Sequence, residues 1–339
     1  MVPSGISRSS PLILTCMAWR SSKVRPTASN RDLAIRPLGL GEIIDRAVAL
    51  TVRHFRLLFL WMLPIQAPAI AASRLQLAGA GDVLANFNDA AAALDALKAL
   101  GRASLWIAGG LFFLQVAASA ACAAIVAPSL GGDVAPAPPL RRVAAIASAA
   151  LASLTLFVAV PALGALPGLL MLSHARSALA WASALALFVG GAGIAFVLVV
   201  LWTLLVPSVA AIEGRPHFAA VRRSMALMRS TPGLPYAQRP ALRASLVLFA
   251  TFAIAIAVNV IVGVPRGIIG HLAGGSALLP VALSPWAEIP LGLFETAGSA
   301  ALQPFSLVAV TVLYFDRRAR REGLDLERFA AELEAGAPP

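Results

Sequence analysis

The sequence predicts an all-α membrane protein, a polytopic transmembrane helical bundle of about six crossings with amphipathic helices at its cytoplasmic face. Hydrophobic residues make up 59% of the 339 residues and charged residues only 13%, whereas a soluble domain carries about 25% charge. Long runs also lack Lys, Arg, Asp and Glu altogether. These runs are 57–73, 103–132, 143–175, 177–212, 244–265, 267–287 and 296–315. Since a spanning helix needs about 20 apolar residues, most runs reach or approach the length of a crossing.

The N-terminal residues 1–35 are polar and basic apart from a short apolar stretch at 11–19. We interpret them as a disordered extension, or as the product of a start codon assigned too early. Cys16 in this segment and Cys122 in an apolar run are the two cysteines of the chain, and neither belongs to a Cys/His cluster. A disulfide, a zinc site or a redox site is therefore not expected, and we predict no cofactor.

A membrane domain is predicted over 36–327, and its first element is an amphipathic helix at 36–56. Apolar side chains share one stripe of that helix: Ile44, Val48, Thr51 and Phe55. Glu42 and Arg46 lie four residues apart on another stripe, in the order that stabilises an exposed helix. This pattern is typical of a helix that lies on the membrane surface and leads into the first crossing.

The charge-free runs predict six crossings. They lie at about 55–75, 104–129, 143–172, 179–207, 244–264 and 290–315. Pro64 and Pro68 predict a kink in the first crossing. Residues 76–102 form a more polar loop with a helical stretch, and Ser173–Ser177 forms a tight turn. The Gly-rich residues 265–287 are expected to form a loop, either at the surface or re-entrant.

The segment 143–212 allows either two long crossings or three short ones, and the arginine distribution decides between them. With two crossings, 22 of the 27 Lys and Arg residues fall on one side of the membrane. Three crossings would move the arginine-rich 211–243 to the other side and remove this asymmetry. Because cytoplasmic loops carry an excess of Lys and Arg, we predict two crossings here and place both termini in the cytoplasm.

A second amphipathic helix is predicted within 213–243. Its apolar face is formed by Phe218, Val221, Met225 and Met228, and its arginines are Arg222, Arg223 and Arg229. Two interpretations remain open for this helix. It either binds anionic headgroups or docks on the cytoplasmic ends of neighbouring helices.

The last crossing is predicted to end in the cytoplasm. Tyr314 and Phe315 stand at headgroup level and are followed by four arginines within 317–321, which is typical of a helix leaving the membrane. Gly323 is a candidate C-cap. Residues 324–335 then predict a short acidic helix, and 328–339 form a C-terminal tail.

Both ends of the membrane domain resemble a known family. Arg36-Pro37-Leu38, the run from Gly41 to Ala47, and His54-Phe55 resemble the opening of six-helix bacterial and archaeal proteins. These are labelled glycerophosphoryl diester phosphodiesterase membrane domain proteins. The run from Tyr314 to Glu327 resembles the closing signature of that family.

A third resemblance, to the cytoplasmic loop of the family, is carried by Pro207, Glu213-Gly214 and Arg222-Arg223-Ser224. Residues 230–243, STPGLPYAQRPALR, depart from the aromatic stretch that is usual there. The resemblance covers 36–327 and implies a multi-pass protein of the bacterial cytoplasmic (inner) membrane. It also implies that the soluble phosphodiesterase domain fused to some relatives is absent.

The chain shows no constellation of residues typical of an enzyme. Its four histidines, His54, His174, His217 and His271, are isolated from one another, whereas phosphodiester hydrolysis needs clustered His and carboxylate side chains. Glu295 is the ionisable residue to note within the apolar regions, because an intramembrane charge is costly and often functional. Arg266 and His271 are its predicted partners.

We therefore predict a non-enzymatic membrane protein whose cytoplasmic Arg-rich elements contact anionic lipid headgroups or membrane-protein partners, and no nucleic acid. The candidate juxtamembrane motif is Glu42, Asp45, Arg46, Arg222, Arg223, Asp316, Arg318 and Arg321. The first alternative is a transporter or permease component, with Glu295 and the proline-containing first and third crossings along its path. The second alternative is a membrane-embedded enzyme that processes lipids.

Overall fold

Within the residues that the structure describes, nine α-helices and no strand are present, and six of the helices are long and apolar enough to cross a membrane. The structure is a computed structural model that describes residues 38–85, 89–132, 138–174, 176–229, 239–272 and 284–323. The predicted all-α polytopic bundle is confirmed, and the chain is an integral membrane protein. The predicted extension 1–35, the acidic helix at 324–335 and the tail 328–339 lie outside the described residues.

The helices are α1 (Leu40–Arg53), α2 (Phe55–Ala85), α3 (Ala90–Val126), α4 (Pro139–Leu172), α5 (Ala178–Thr203), α6 (Val206–Glu213), α7 (His217–Met228), α8 (Pro240–Leu272) and α9 (Pro285–Glu322). A 3₁₀ turn, Ala127–Leu130, continues α3. The six candidate spans are Phe55–Gln76, Leu94–Leu130, Pro139–Leu172, Ala178–Glu213, Pro240–Leu272 and Trp286–Glu322. The segment 143–212 therefore contains two candidate spans, as the arginine distribution predicts.

Short polar residues and glycines set several helix ends. The Asp89 carboxylate accepts hydrogen bonds from the backbone N–H groups of Ala91 and Ala92 at 3.0 and 3.2 Å, which starts α3. Gly323 has a φ of 65° and donates its N–H to the carbonyl of Ala319 at 3.0 Å. Since a left-handed φ suits glycine, the predicted C-cap of the last helix is confirmed.

Two helices extend beyond their predicted crossings. Helix α8 continues through Pro265 to Leu272, although 265–287 was predicted to form a loop. In hydrocarbon no water competes for backbone groups, so a proline ends a helix less readily there. Helix α2 likewise continues through Pro64 and Pro68 to Ala85, so most of the polar stretch 76–102 is helical.

Helices α4 and α5 form the closest pair in the bundle, and glycines allow their backbones to approach each other. A Cβ atom on Gly168 would lie 2.2 Å from the backbone N of Phe188, and one on Gly164 would lie 2.5 Å from the carbonyl oxygen of Gly191. Such small-residue contacts replace the hydrophobic driving force that is missing between helices in lipid.

Helix α9 is the centre of the bundle. It packs against α1, α2, α3 and α8, and 56% of its apolar window is buried, against 11–39% for the other five spans. Its buried face includes Ala300, Val308, Val312 and Leu313, all fully inaccessible. The remaining spans therefore present most of their surface to lipid, whereas α9 presents most of its surface to protein.

The two predicted amphipathic helices form and dock at the same end of the bundle. Helix α1 packs on α9, and it buries Ile43, Ala47 and Leu50. The buried stripe is displaced by one residue from the predicted one, as the 47% exposure of Val48 shows. Helix α1 is apolar on two adjacent sides, and burial against α9 selects the stripe next to the predicted one.

Helix α7 packs against α4, α5 and α6, which favours docking on neighbouring helices over a purely lipid-bound position. Val221 and Met228 are buried as predicted, together with Ala220 and Leu227. Phe218 was predicted on the same face but is 51% exposed. Its helical position turns it past the edge of the packed surface.

Candidate functional site

The two ends of the bundle differ strongly in charge. We call the end formed by α1, α6, α7, the starts of α2, α4 and α8, and the end of α9 the arginine-rich end. Among the described residues it carries fifteen arginines and five acidic residues, whereas the opposite end carries five basic and five acidic residues. The excess positive charge of the described membrane domain is therefore collected at one end.

The first polar cluster at the arginine-rich end is centred on Asp316 of α9, whose side chain is inaccessible to solvent. Its Oδ1 accepts hydrogen bonds from the backbone N–H of Leu38 at 2.8 Å and from Nε of Arg320 at 3.0 Å. Its Oδ2 lies 3.5 Å from Nη2 of Arg243. Asp316 thus joins the start of α1, the start of α8 and the end of α9.

Two arginines complete this cluster by binding the same backbone group. The carbonyl oxygen of Leu38 accepts hydrogen bonds from Nη2 of Arg243 at 2.6 Å and from Nη2 of Arg320 at 2.7 Å. The backbone N–H and the backbone carbonyl of Leu38 are therefore both bound by side chains. We call this set, Leu38, Arg243, Asp316 and Arg320, the Asp316 clamp.

The second polar cluster surrounds Glu213, the last residue of α6. Arg223 of α7 donates its Nε to both carboxylate oxygens of Glu213 at 3.0 Å. Tyr314 of α9 donates its hydroxyl at 2.8 Å, and Nε of Arg215 lies 2.8 Å from Oε2. Glu213 therefore connects α6, α7 and α9, and we call it with its partners the Glu213 hub.

Glu322 extends the Glu213 hub at the end of α9. It binds Arg223, and its Oε2 accepts a hydrogen bond from Nε of Arg318 at 3.0 Å. Burial alone would lower the pKa of the Arg223 guanidinium, but the hydrogen bonds and charges of Glu213 and Glu322 together raise that pKa above its ordinary value. Arg223 is a permanent cation between two carboxylates.

The predicted juxtamembrane residues divide into four that bind other helices or helix ends and four that lie on the surfaces of α1 and α7. Arg223, Asp316 and Arg318 belong to the two clusters. Arg321 donates to the backbone carbonyls of Ala226 and, at 3.5 Å, Arg229.

The other four residues lie on the surfaces of α1 and α7. Glu42 accepts the backbone N–H of Gly39 at 2.8 Å and so caps α1. Asp45 and Arg222 are exposed, and Arg46 is half-buried.

His54 stands at the junction of α1 and α2. Its Nε2 lies 2.8 Å from Oγ of Ser129, at the end of α3. Burial, and secondly the neighbouring charge of Arg53, lower the pKa of the His54 imidazole below its usual value. His54 is thus a neutral contact between helices at neutral pH.

A third polar cluster lies at the opposite end and contains Glu295. Nε of Arg266 lies 3.1 Å from Oε1 of Glu295, as predicted, and Arg74 of α2 binds the other oxygen. Arg266 also binds Glu288, whereas the other predicted partner, His271, is exposed. Glu295 is only 6% exposed, so it is a buried ion-pair residue that joins α2, α8 and α9.

The arrangement of these clusters is suited to holding helices together. Each of the carboxylates of Glu213, Asp316 and Glu295 is bound by at least two basic or hydroxyl side chains. Within the described ranges, no three His, Cys, Asp or Glu side chains lie close enough to hold a metal ion.

Sequence reasoning missed Arg243 and Arg74, and it recognised Glu213 only as part of a family signature. The available signal was the position of each charged residue at the end of an apolar run. That signal does not indicate a partner.

No family model, curated protein or solved structure matches the chain. The resemblance to the phosphodiesterase membrane domain family therefore stays a prediction.

Proposed function

We propose that this integral membrane protein is a non-enzymatic component of the bacterial cytoplasmic membrane, with both termini in the cytoplasm and its arginine-rich end bound to anionic lipid headgroups. The charge difference between the two ends carries the proposal. Ten excess positive charges lie at one end of the described bundle and none at the other. Cytoplasmic segments are enriched in Lys and Arg, and the inner leaflet of the membrane attracts such residues.

Exposed arginines beside exposed apolar side chains are the groups that we assign to lipid contact. Arg56, Arg141 and Arg222 are exposed. Leu140, next to Arg141, is 82% exposed, and Phe218, one helical turn before Arg222, is 51% exposed. An apolar side chain inserted below the headgroups and a guanidinium among the phosphates is the typical arrangement of an interfacial helix.

The arginines of the Asp316 clamp and the Glu213 hub have a different role in this proposal. Arg223, Arg243 and Arg320 bind carboxylates or backbone carbonyls of the protein, so they stabilise the arginine-rich end. The ion pairs that arginines form with Glu213 and Asp316 also support a non-enzymatic function, because a general base needs a free lone pair directed at a substrate.

The alternative of a transporter receives less support, because two elements of its predicted path are already bound to other parts of the protein. Glu295 is bound by Arg74 and Arg266. The third crossing, α4, packs closely on α5 through glycines.

Two experiments test the proposal. Alkaline phosphatase fused after Pro339 should be inactive, and green fluorescent protein at the same position should fluoresce, because phosphatase requires export. The reverse result would contradict the assigned sidedness.

Lipid binding is tested by the stability of the purified protein in nanodiscs of neutral lipid and of lipid with phosphatidylglycerol. Wild type should be stabilised by the anionic lipid, and the triple variant Arg56→Gln, Arg141→Gln, Arg222→Gln should lose about 1 kcal/mol of that gain per arginine. The comparison variant is Arg102→Gln, Arg176→Gln at the opposite end, which has no excess positive charge and should lose less of the gain per arginine. Equal responses of both variants would contradict the lipid assignment.

A further inference from the structure

Two clefts meet in the middle of the bundle. The first, of about 250 Å³, lies between α2, α8 and α9, and the second, of about 430 Å³, lies between α2, α3 and α9. They share Gln66, Ala69 and Gln303. The two clefts are therefore neighbours, and two glutamine side chains belong to the wall that they share.

The glutamines lie near the middle of the membrane. Gln66 is at the centre of the span Phe55–Gln76, Gln303 is one residue from the centre of Trp286–Glu322, and Gln115 is three residues from the centre of Leu94–Leu130. Three carboxamides from three helices thus face one another at the depth where the bilayer is least polar. Uncharged polar residues at this depth usually bind a neighbouring helix or line a pathway.

The hydrogen-bonding capacity of this group is largely unused. Nε2 of Gln303 donates to Oε1 of Gln115 at 3.1 Å. Gln66 is only 8% exposed and lines both clefts, and among the described residues no hydrogen-bond partner is found for its amide. A polar group in hydrocarbon is costly unless it is satisfied, so the clefts require an occupant with donors and acceptors.

The lining also defines the charge and shape of that occupant. No Lys, Arg, Asp or Glu lines either cleft, and the nearest cluster, Arg74 with Glu295, is already an ion pair. The lining from α8 and α9 combines apolar and polar side chains. The apolar ones include Ile254, Val258, Leu302 and Phe305, and the polar ones are Thr251, Asn259, Ser299, Gln303 and Ser306. An uncharged molecule with a polar head and a hydrocarbon body matches this mixed lining.

We propose that the clefts around Gln66, Gln115 and Gln303 bind an uncharged amphiphile whose head carries hydroxyl or carbonyl groups, the chemical class of acylglycerols. The carboxamides bind the head, and Ile254, Leu302 and their neighbours contact the chain. Since Ile254 and Leu302 are 41% and 38% exposed, the molecule enters sideways from the bilayer. This site goes beyond the proposed function and does not depend on the sidedness of the arginine-rich end.

The test uses the full chain in nanodiscs and a monoacylglycerol that carries a diazirine and an alkyne in its acyl chain. Irradiation should label peptides of α2 and α9 saturably, and unlabelled monoacylglycerol should compete. Gln66→Leu and Gln303→Leu should each weaken the apparent affinity about fivefold, the effect of one lost hydrogen bond. Gln76→Leu, a glutamine of α2 outside the clefts, is the matched control and should label as wild type.

Three results would overturn the proposal. Labelling that does not saturate would mean that the clefts hold only water or bulk lipid. Equal affinities of Gln66→Leu, Gln303→Leu and Gln76→Leu would remove the role of the central glutamines. Equal competition by the corresponding fatty acid would contradict the preference for an uncharged head. Gln115→Leu, an exposed position on α3, gives an independent measurement if either central variant fails to fold.

Discussion

Neutralising Asp316 should destabilise the protein more than any other single change at the arginine-rich end. The variant Asp316→Asn keeps an oxygen for the backbone N–H of Leu38 but removes the negative charge. Arg243, whose side chain is only 8% exposed, then loses its countercharge. Arg317, which follows Asp316 in the sequence and is 3% exposed, also loses a nearby negative charge. Removing one partner of a buried ion pair costs about 3–5 kcal/mol.

The structure separates the contributions to that cost. The variant Asp316→Asn should be destabilised by about 3 kcal/mol, the lower end of that range, because it keeps the hydrogen bond from Leu38. Asp316→Ala also leaves the N–H of Leu38 without an acceptor, which adds about 1–3 kcal/mol. Asp45→Asn on the exposed side of α1 is the control, and a surface change of this kind stays within about 0.5 kcal/mol.

The free energy of unfolding is measured by SDS titration in mixed micelles, with fluorescence of the six tryptophans as the signal. The double variant Arg243→Met, Asp316→Leu should recover at least half of the loss of Asp316→Ala, because two apolar side chains replace a buried ion pair at little cost. Two results would contradict this role of the Asp316 clamp. One is a free energy of unfolding of Asp316→Asn within about 1 kcal/mol of wild type. The other is a double variant that is no more stable than Asp316→Ala.

Three further predictions address other parts of the molecule. Gly168→Ala should destabilise by about 1–3 kcal/mol because its Cβ would meet the backbone of α5, whereas Gly190→Ala, which has open space around it, should be neutral or stabilising in the same SDS titration. The lowered pKa of His54 means that the unfolded state takes up a proton first as the pH falls below about 6.5. Stability should therefore decrease from pH 7 to pH 5, and an unchanged slope in His54→Gln would exclude this histidine as the cause. Glu295→Gln should lower the free energy of unfolding by about 3 kcal/mol, because Arg74 and Arg266 lose the carboxylate that they share. Adding Arg74→Met to that variant should restore part of the loss. Additive effects of these two changes would argue against their coupling.

The membrane architecture follows from the sequence because the bilayer restricts the solutions so strongly. Charge-free runs of about 20 residues must form helices that satisfy their own backbone, and the arginine distribution distinguishes two crossings from three in 143–212. The ends of helices were less predictable. Residues 265–287 were predicted to form a loop, but α8 continues through Pro265 to Leu272, since apolar surroundings remove the alternative of hydration.

The sequence could not predict which charged residues bind one another within the polar clusters. Arg243 has the same sequence context as any arginine at the start of a crossing, and its role depends on Leu38, 205 residues away. Arg266 was predicted to meet Glu295 because the two lie on consecutive segments, whereas Arg74 is 221 residues from Glu295 and was missed. Gln66 and Gln303 had a weak signal, an amide in the middle of an apolar run, that gains meaning only when three helices are brought together.

The position of α9 has a consequence for biosynthesis. Asp316, Glu322, Glu295 and Glu288 all belong to α9, while their cationic partners on α2, α7 and α8 leave the ribosome earlier. Until α9 is inserted, Arg74, Arg243 and Arg266 lack the carboxylates that they bind, and the earlier spans lack the helix against which they pack. Final assembly must therefore wait for translation of the last span, and a nascent chain stopped before residue 285 should remain a substrate for the insertase and for membrane proteases.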